Sequence, residues 1–173
     1  MIETKDLILR QGRDTDWSDL SRNLWRQESV FQFLFSRASP TEEAARQKTM
    51  AYVQMHREVS TEFFVIEKST TQAIGIAGIK QITPGIYTVT DIALGPSFTG
   101  RGYGKQILTA LAELAFYHYH ASELFYCCFQ QNQISRKLAL SCGFQYIRSE
   151  EAELQKDNAA VILDKYRRKN NHV

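Results

Sequence analysis

Short β-rich runs alternate with stretches of helical spacing along this chain. LILR (7–10) predicts a short opening strand. Trp17, Leu20 and Leu24 then fall on one face of a first helix that Asp14 or Asp16 can cap. Residues 28–36 predict a second short helical piece. Ser39-Pro40-Thr41-Glu42 reads as a capping box with proline at the first helical position, so a helix is expected from 40 to about 58. FFVIEK (63–68) is β-rich, STTQ (69–72) is a polar turn, and AIGIAGIKQI predicts a strand that Pro84-Gly85 breaks. IYTVTDIAL (86–94) is the third strand of an expected antiparallel meander.

Past residue 94 the period changes. Ile107, Leu108, Leu111, Leu114 and Ala115 recur at helical spacing to about 118. ELFYCCF (123–129) predicts a strand, and 133–141 a helix that Gly143 ends. Phe144 to Ser149 and Ala159 to Tyr166 predict the last two strands, joined through Lys156-Asp157-Asn158. The order β-α-α-β-β-β-α-β-α-β-β implies an α/β (α+β) sheet with helices on both faces, not a doubly wound parallel sheet. One domain over 1–173 is expected, with about 168–173 a frayed basic tail.

Composition changes this picture little. The chain has 173 residues, 43% hydrophobic, which is enough for one core and excludes a disordered chain. A net charge of +2 makes no demand for nucleic acid or an anionic membrane. No apolar run approaches the roughly 20 residues of a membrane span. The N-terminus lacks the apolar core of a signal peptide. Three cysteines, two of them adjacent, argue against a disulfide framework and for a reducing, cytoplasmic setting. His118 and His120 flank Tyr119 without partners at ligand spacing, so no metal is expected.

Candidate chemistry concentrates in Gly100-Arg101-Gly102-Tyr103-Gly104-Lys105, between a strand and a helix. Three alternating glycines permit a tight turn with several N–H groups pointing one way, and the helix N-terminus adds partial positive charge. Such a turn suits phosphate or pyrophosphate; a plain strand-to-helix turn is the other reading. A dinucleotide fingerprint fails because Lys105 stands where the third glycine belongs. A P-loop fails at Thr99 and Gln106.

DIALGPSFTGRGYGKQIL resembles the acetyl-CoA-binding motif of the GNAT acyltransferases, in which Gln/Arg-x-x-Gly-x-Gly/Ala opens a helix after a proline turn. Gly102 and Gly104 match, and Thr99 replaces the Gln/Arg. Asn132-Gln133-Ile134-Ser135 followed by Cys142-Gly143-Phe144 resembles a second family motif. TKDLILR resembles the opening strand of the ribosomal-protein N-acetyltransferase (RimJ/RimL-like) branch, with Asp6 in place of the usual Arg. The resemblance implies a mixed, mostly antiparallel central sheet whose strand 86–94 splays from 123–129. It implies acetyl-CoA, with pantetheine along Ile92, Ala93 and Leu94, and pyrophosphate on the amides of Gly100, Arg101, Gly102, Tyr103, Gly104 and Lys105. Asn132 would contact pantetheine, or simply cap its helix. Arg101, Lys105 and Lys137 are phosphate candidates, against a reading as solvated surface charges.

The family usually supplies a Glu and a Tyr for proton transfer, at positions that are Cys127 and Ala139 here. The remaining polar candidates are Asp91 as base and Ser135, which could protonate the departing thiolate, hydrogen-bond pantetheine or cap its helix. Cys127 is expected to pack as a small apolar side chain rather than act as a nucleophile. The implied activity is acetyl transfer from acetyl-CoA to a primary amine, on a small molecule or a protein N-terminus, by direct attack in a ternary complex. The alternative is an acetyl-CoA-binding regulatory module with little or no turnover. A monomer or homodimer is expected, with neither nucleic acid nor membrane as partner.

Overall fold

The computed structural model describes residues 1–170. Its strands are β1 (Ile2–Glu3), β2 (Leu7–Arg10), β3 (Glu62–Glu67), β4 (Ala73–Thr83), β5 (Ile86–Leu94), β6 (Glu123–Phe129), β7 (Gln145–Leu154) and β8 (Ala159–Lys169). The helices are α1 (Trp17–Leu20), α2 (Glu28–Phe31), α3 (Glu42–Glu58), α4 (Tyr103–Glu113) and α5 (Gln133–Ser141). The strands pair in the order β1-β2-β3-β4-β5-β6-β8-β7. This is the mixed, mostly antiparallel sheet that the sequence predicts. Where β5 meets β6 the pairing is parallel, and its register covers Ile86↔Glu123 to Thr88↔Phe125. β5 then continues to Leu94 and β6 to Phe129.

Two compact units divide the chain. The first is Met1–Gly78 with Asp91–Ile107. Its core gathers Leu20, Leu24 and Trp25 from the first helical segment, Val53 from α3, and Phe64 and Ile66 from β3. Burial of such side chains is worth about 1.5–3 kcal/mol each. Trp25 is not left with an orphan donor: its indole Nε1 donates to Thr49 Oγ1 at 2.8 Å. The second unit is Ile79–Thr90 with the chain from Leu108 on. There Leu108 and Leu111 of α4, Leu124 of β6 and Tyr166 of β8 are buried.

Several predicted boundaries move. α3 starts at Glu42, not at 40: Thr41 is the N-cap, and its Oγ1 accepts from Ala44 N at 3.1 Å. Ser39 lies two residues before this cap, and its N–H donates to Trp25 O at 2.7 Å. The 28–36 helix shrinks to α2, long enough to bury Phe31. Asp16 precedes α1, but its carboxylate accepts from Arg13 N and, at 2.8 Å on both oxygens, from Arg10. β7 runs five residues past Ser149, because Ala152 and Leu154 alternate inward with exposed Glu151 and Glu153. The basic tail is not frayed at 168–169, which belong to β8. Arg167 and Lys169 pair with Glu123, Arg168 stacks over Phe116, and Asn170 N donates to Ser122 O at 2.9 Å. The rest of the expected tail, 171–173, lies outside the described residues.

Candidate active site

The glycine turn belongs to the first unit. Gly100 and Gly102 adopt φ of +75° and +79°, a region that costs L-residues roughly 1–2 kcal/mol. A Cβ at either glycine would meet no heavy atom within 4 Å. Glycine is therefore used here for backbone conformation, not for close packing against protein, and the turn is open on that side. α4 begins at Tyr103, so its unpaired first N–H groups lie at the same turn. An open set of amides at a helix N-terminus fits a pyrophosphate.

The same turn is tied down by side chains. Tyr103, buried, donates through Oη to Glu67 Oε1 at 2.7 Å. Arg101 Nη1 donates to the same oxygen at 3.1 Å. Gln106, on the first turn of α4, accepts from Thr4 Oγ1 at 2.7 Å and Asp6 N at 3.0 Å, and donates to Asp6 Oδ2 at 2.7 Å. Asp6 thus has a local partner in Gln106. The guanidinium of Arg101 is engaged by Glu67, while Lys105 is exposed.

β5 supplies the other candidates in this unit. Gly95 N donates to Ile74 O at 2.9 Å. A Cβ at Gly75 would stand 2.2 Å from Ala93 O, so only glycine permits β4 this close. The backbone polar groups of 93 and 95 therefore face β4. In an extended strand those of Ile92 and Leu94 point the opposite way. Asp91 lies close enough to Lys48 and Tyr52 of α3 to act on both. Burial pulls the Lys48 ammonium below its usual range, against the charge of Asp91. Burial, with Asp91 and Glu62 adding to it, pushes the Tyr52 phenol up to about 12. Lys48 Nζ also sits 4.8 Å from the Trp25 ring centroid and 4.5 Å from that of Phe31.

In the second unit, Asn132 is the N-cap of α5, its Oδ1 accepting from Ser135 N at 3.1 Å. Lys137 is exposed. Ser135 Oγ shares a 2.6 Å hydrogen bond with the hydroxyl of Tyr126. Tyr126 is buried, and burial, with Ser135 acting against it, raises its phenol far above the ordinary range. Its place one residue after the stretch of β6 that pairs with β5, opposite an N-x-x-S helix start, was the available signal for this contact.

Ala139 is fully buried, so the position of the usual tyrosine packs inward. Cys127 does not pack as expected: it is exposed, because β6 alternates and Tyr126 and Cys128 face the interior. Desolvation of its thiol still raises it, with Lys165 acting the other way, which leaves little thiolate at neutral pH. Among the described residues no group of three His, Cys, Asp or Glu side chains is placed to hold a metal. No helix among them is long and apolar enough to cross a membrane.

Comparison with known proteins agrees with this geometry. A family model described as an acetyltransferase (GNAT) domain matches residues 6–145. No curated protein matches the chain. Among solved structures, a GNAT-family acetyltransferase from Bacillus anthracis superposes with a TM-score of 0.83 at 15% identity, covering 97% of each chain. A ribosomal-protein-S5-alanine acetyltransferase from Vibrio fischeri gives 0.79 at 16%, covering 98% of this chain and 96% of that one. A RimL ribosomal α-N-protein acetyltransferase in complex with coenzyme A gives 0.77 at 16%, covering 98% and 97%. At these identities the likenesses show the fold.

The family match over residues 6–145 makes this chain an acyltransferase that draws on a thioester donor. It belongs to the acetyltransferase (GNAT) family, and it is accordingly an acetyl-CoA-dependent N-acetyltransferase.

Proposed function

We propose that this enzyme acetylates a primary amine, on a small molecule or a protein N-terminus, by direct attack in a ternary complex. The observation that carries the reading is the open turn at 100–105, with Gly100 and Gly102 held left-handed and nothing standing where their side chains would be. Bound there, acetyl-CoA supplies the acetyl thioester. The amides of 100–105 bind the pyrophosphate, and Ile92 and Leu94 offer strand backbone to pantetheine. Ala93, the third candidate on that strand, contributes by holding β5 against β4. Asn132 keeps Ser135 at the first turn of α5, and Ser135 is proposed to hold a proton for the departing sulfur, with Tyr126 behind it.

Direct attack is supported by the raised thiol of Cys127, which makes a poor acyl carrier. The amine must be neutral to attack. A lysine-type amine is only about one part in a thousand neutral at pH 7, whereas an α-amine near pKa 8 is far better placed. Asp91, whose charge acts on Lys48 and Tyr52 of α3, is proposed to take the proton from the more basic kind. Two proteins of like fold are ribosomal-protein acetyltransferases, which favours an α-amine acceptor. Two-substrate kinetics test the route. Intersecting reciprocal plots are expected. Parallel plots, with acetyl label retained on Cys127 in the absence of amine, would replace direct attack by an acyl-enzyme.

A further inference from the structure

Glu67 ends β3 with 3% of its side chain exposed. A buried carboxylate needs donors, and three side chains besides Ser69 provide them. Thr70 Oγ1 donates to Oε2 at 2.7 Å. Tyr103 Oη and Arg101 Nη1 donate to Oε1 at 2.7 and 3.1 Å. Two of these three donors flank Gly102, one on either side. Beyond the neighbouring residues of the chain, no heavy atom lies within 4 Å of where a Cβ at Gly100 or Gly102 would stand. Arg101 and Tyr103 tie the turn itself to Glu67, while Gln106 ties the first turn of α4 to Thr4 and Asp6. The β3–β4 connection in turn fixes Glu67: its N–H donates to Gln72 O at 3.0 Å, and its carbonyl accepts from Thr71 N at 2.8 Å.

We propose that Glu67 is a positioning residue for acetyl-CoA: through Tyr103 and Arg101 it holds the 100–105 turn in the shape whose outward amides bind the pyrophosphate. The proposal rests on the reading of that turn as the pyrophosphate cradle. A turn carrying two left-handed residues has many other conformations open to it, because glycine is permissive. Anchoring it before the ligand arrives removes that ordering cost from binding. The anchor acts only on the part of the ligand that lies in the cradle. Pantetheine, which lacks the pyrophosphate, should not sense it.

Calorimetry on the full chain with coenzyme A and with pantetheine tests this. Glu67→Ala is expected to weaken coenzyme A about tenfold or more, the scale of one charge-assisted hydrogen bond. Glu67→Gln, which can still accept from Tyr103, should recover part of that loss. Pantetheine affinity should stay within about twofold in both, because its binding uses no group that Glu67 orders. Tyr103→Phe removes one hydroxyl and serves if Glu67→Ala does not fold; it should shift coenzyme A alone in the same direction. Folded variants that bind coenzyme A as the wild type does would overturn the proposal. So would equal losses for both ligands, which would mark a general structural role. Gly102→Glu separates the two claims. If it too binds coenzyme A normally, the cradle reading itself fails; if it alone loses affinity, only the role of Glu67 fails.

Discussion

Gly102→Glu should remove most of the affinity for acetyl-CoA. Its φ of +79° means any L-residue placed there carries strain of roughly 1–2 kcal/mol. No clash adds to this, since nothing lies within 4 Å of the new Cβ. The larger effect is charge. A carboxylate about 4 Å from a phosphate is repelled by about 1 kcal/mol in bulk water and about 4 kcal/mol at the effective dielectric of a protein surface. Two phosphates facing it double this, so the smallest expected penalty is about 2 kcal/mol, or about thirtyfold in dissociation constant. Gly102→Ala isolates the strain, which should lower the melting temperature while changing affinity less than about tenfold. Calorimetric titration with acetyl-CoA, paired with thermal melts, reads both quantities. Wild-type affinity in a folded Gly102→Glu protein would refute the placement of the pyrophosphate.

Ser135→Ala should lower kcat by less than roughly 10²-fold, because a thiolate leaves with little acid assistance; a variant that binds acetyl-CoA normally yet never turns over would make Ser135 indispensable. Asp91→Asn should slow acetylation of lysine-like amines more than of α-amines, and rate–pH profiles with both kinds check it; equal losses would contradict the base role. Acid stability should report Glu67. Burial pushes its carboxyl up, but hydrogen bonds from Tyr103, Thr70 and Ser69 and the charge of Arg101 outweigh it, so the pKa is lowered from 4.5. Its stabilisation is present above that value and is lost as pH falls through the lower, folded one. Melting temperatures of the wild type should therefore drop more steeply below about pH 4.5 than those of Glu67→Gln; parallel profiles would contradict it.

The central elements were legible because their signals are local. Glycines at 100, 102 and 104 between a strand and a helical period specify the turn whatever surrounds it. The Asn132 cap and the Gly143 stop, with φ of +80°, are local too. What the sequence hid depends on partners distant along the chain. Nothing in FFVIEK marks Glu67 as the acceptor of Tyr103 and Arg101, which lie more than thirty residues away. Only the end of β8, at 168–169, reads as a basic tail until Glu123 and Phe116 are seen beside its basic side chains. The second half of β7 is masked by its acidic run, since a charged strand with one apolar face looks like a surface segment. Cys127 was assigned by residue type, but the pleat of β6 decides its face and turns it outward.

Acetyl transfer itself is tested most directly by presenting the protein with acetyl-CoA and a panel of amines, including peptides with free N-termini. Release of coenzyme A thiol and the mass of each amine are followed together. The account predicts thiol release that requires an amine and is matched one for one by N-acetylated product, with an α-amine acceptor favoured at neutral pH. Saturable binding of acetyl-CoA, with no amine in the panel raising thiol release above the amine-free rate, would contradict it and mark a binding module in place of an enzyme.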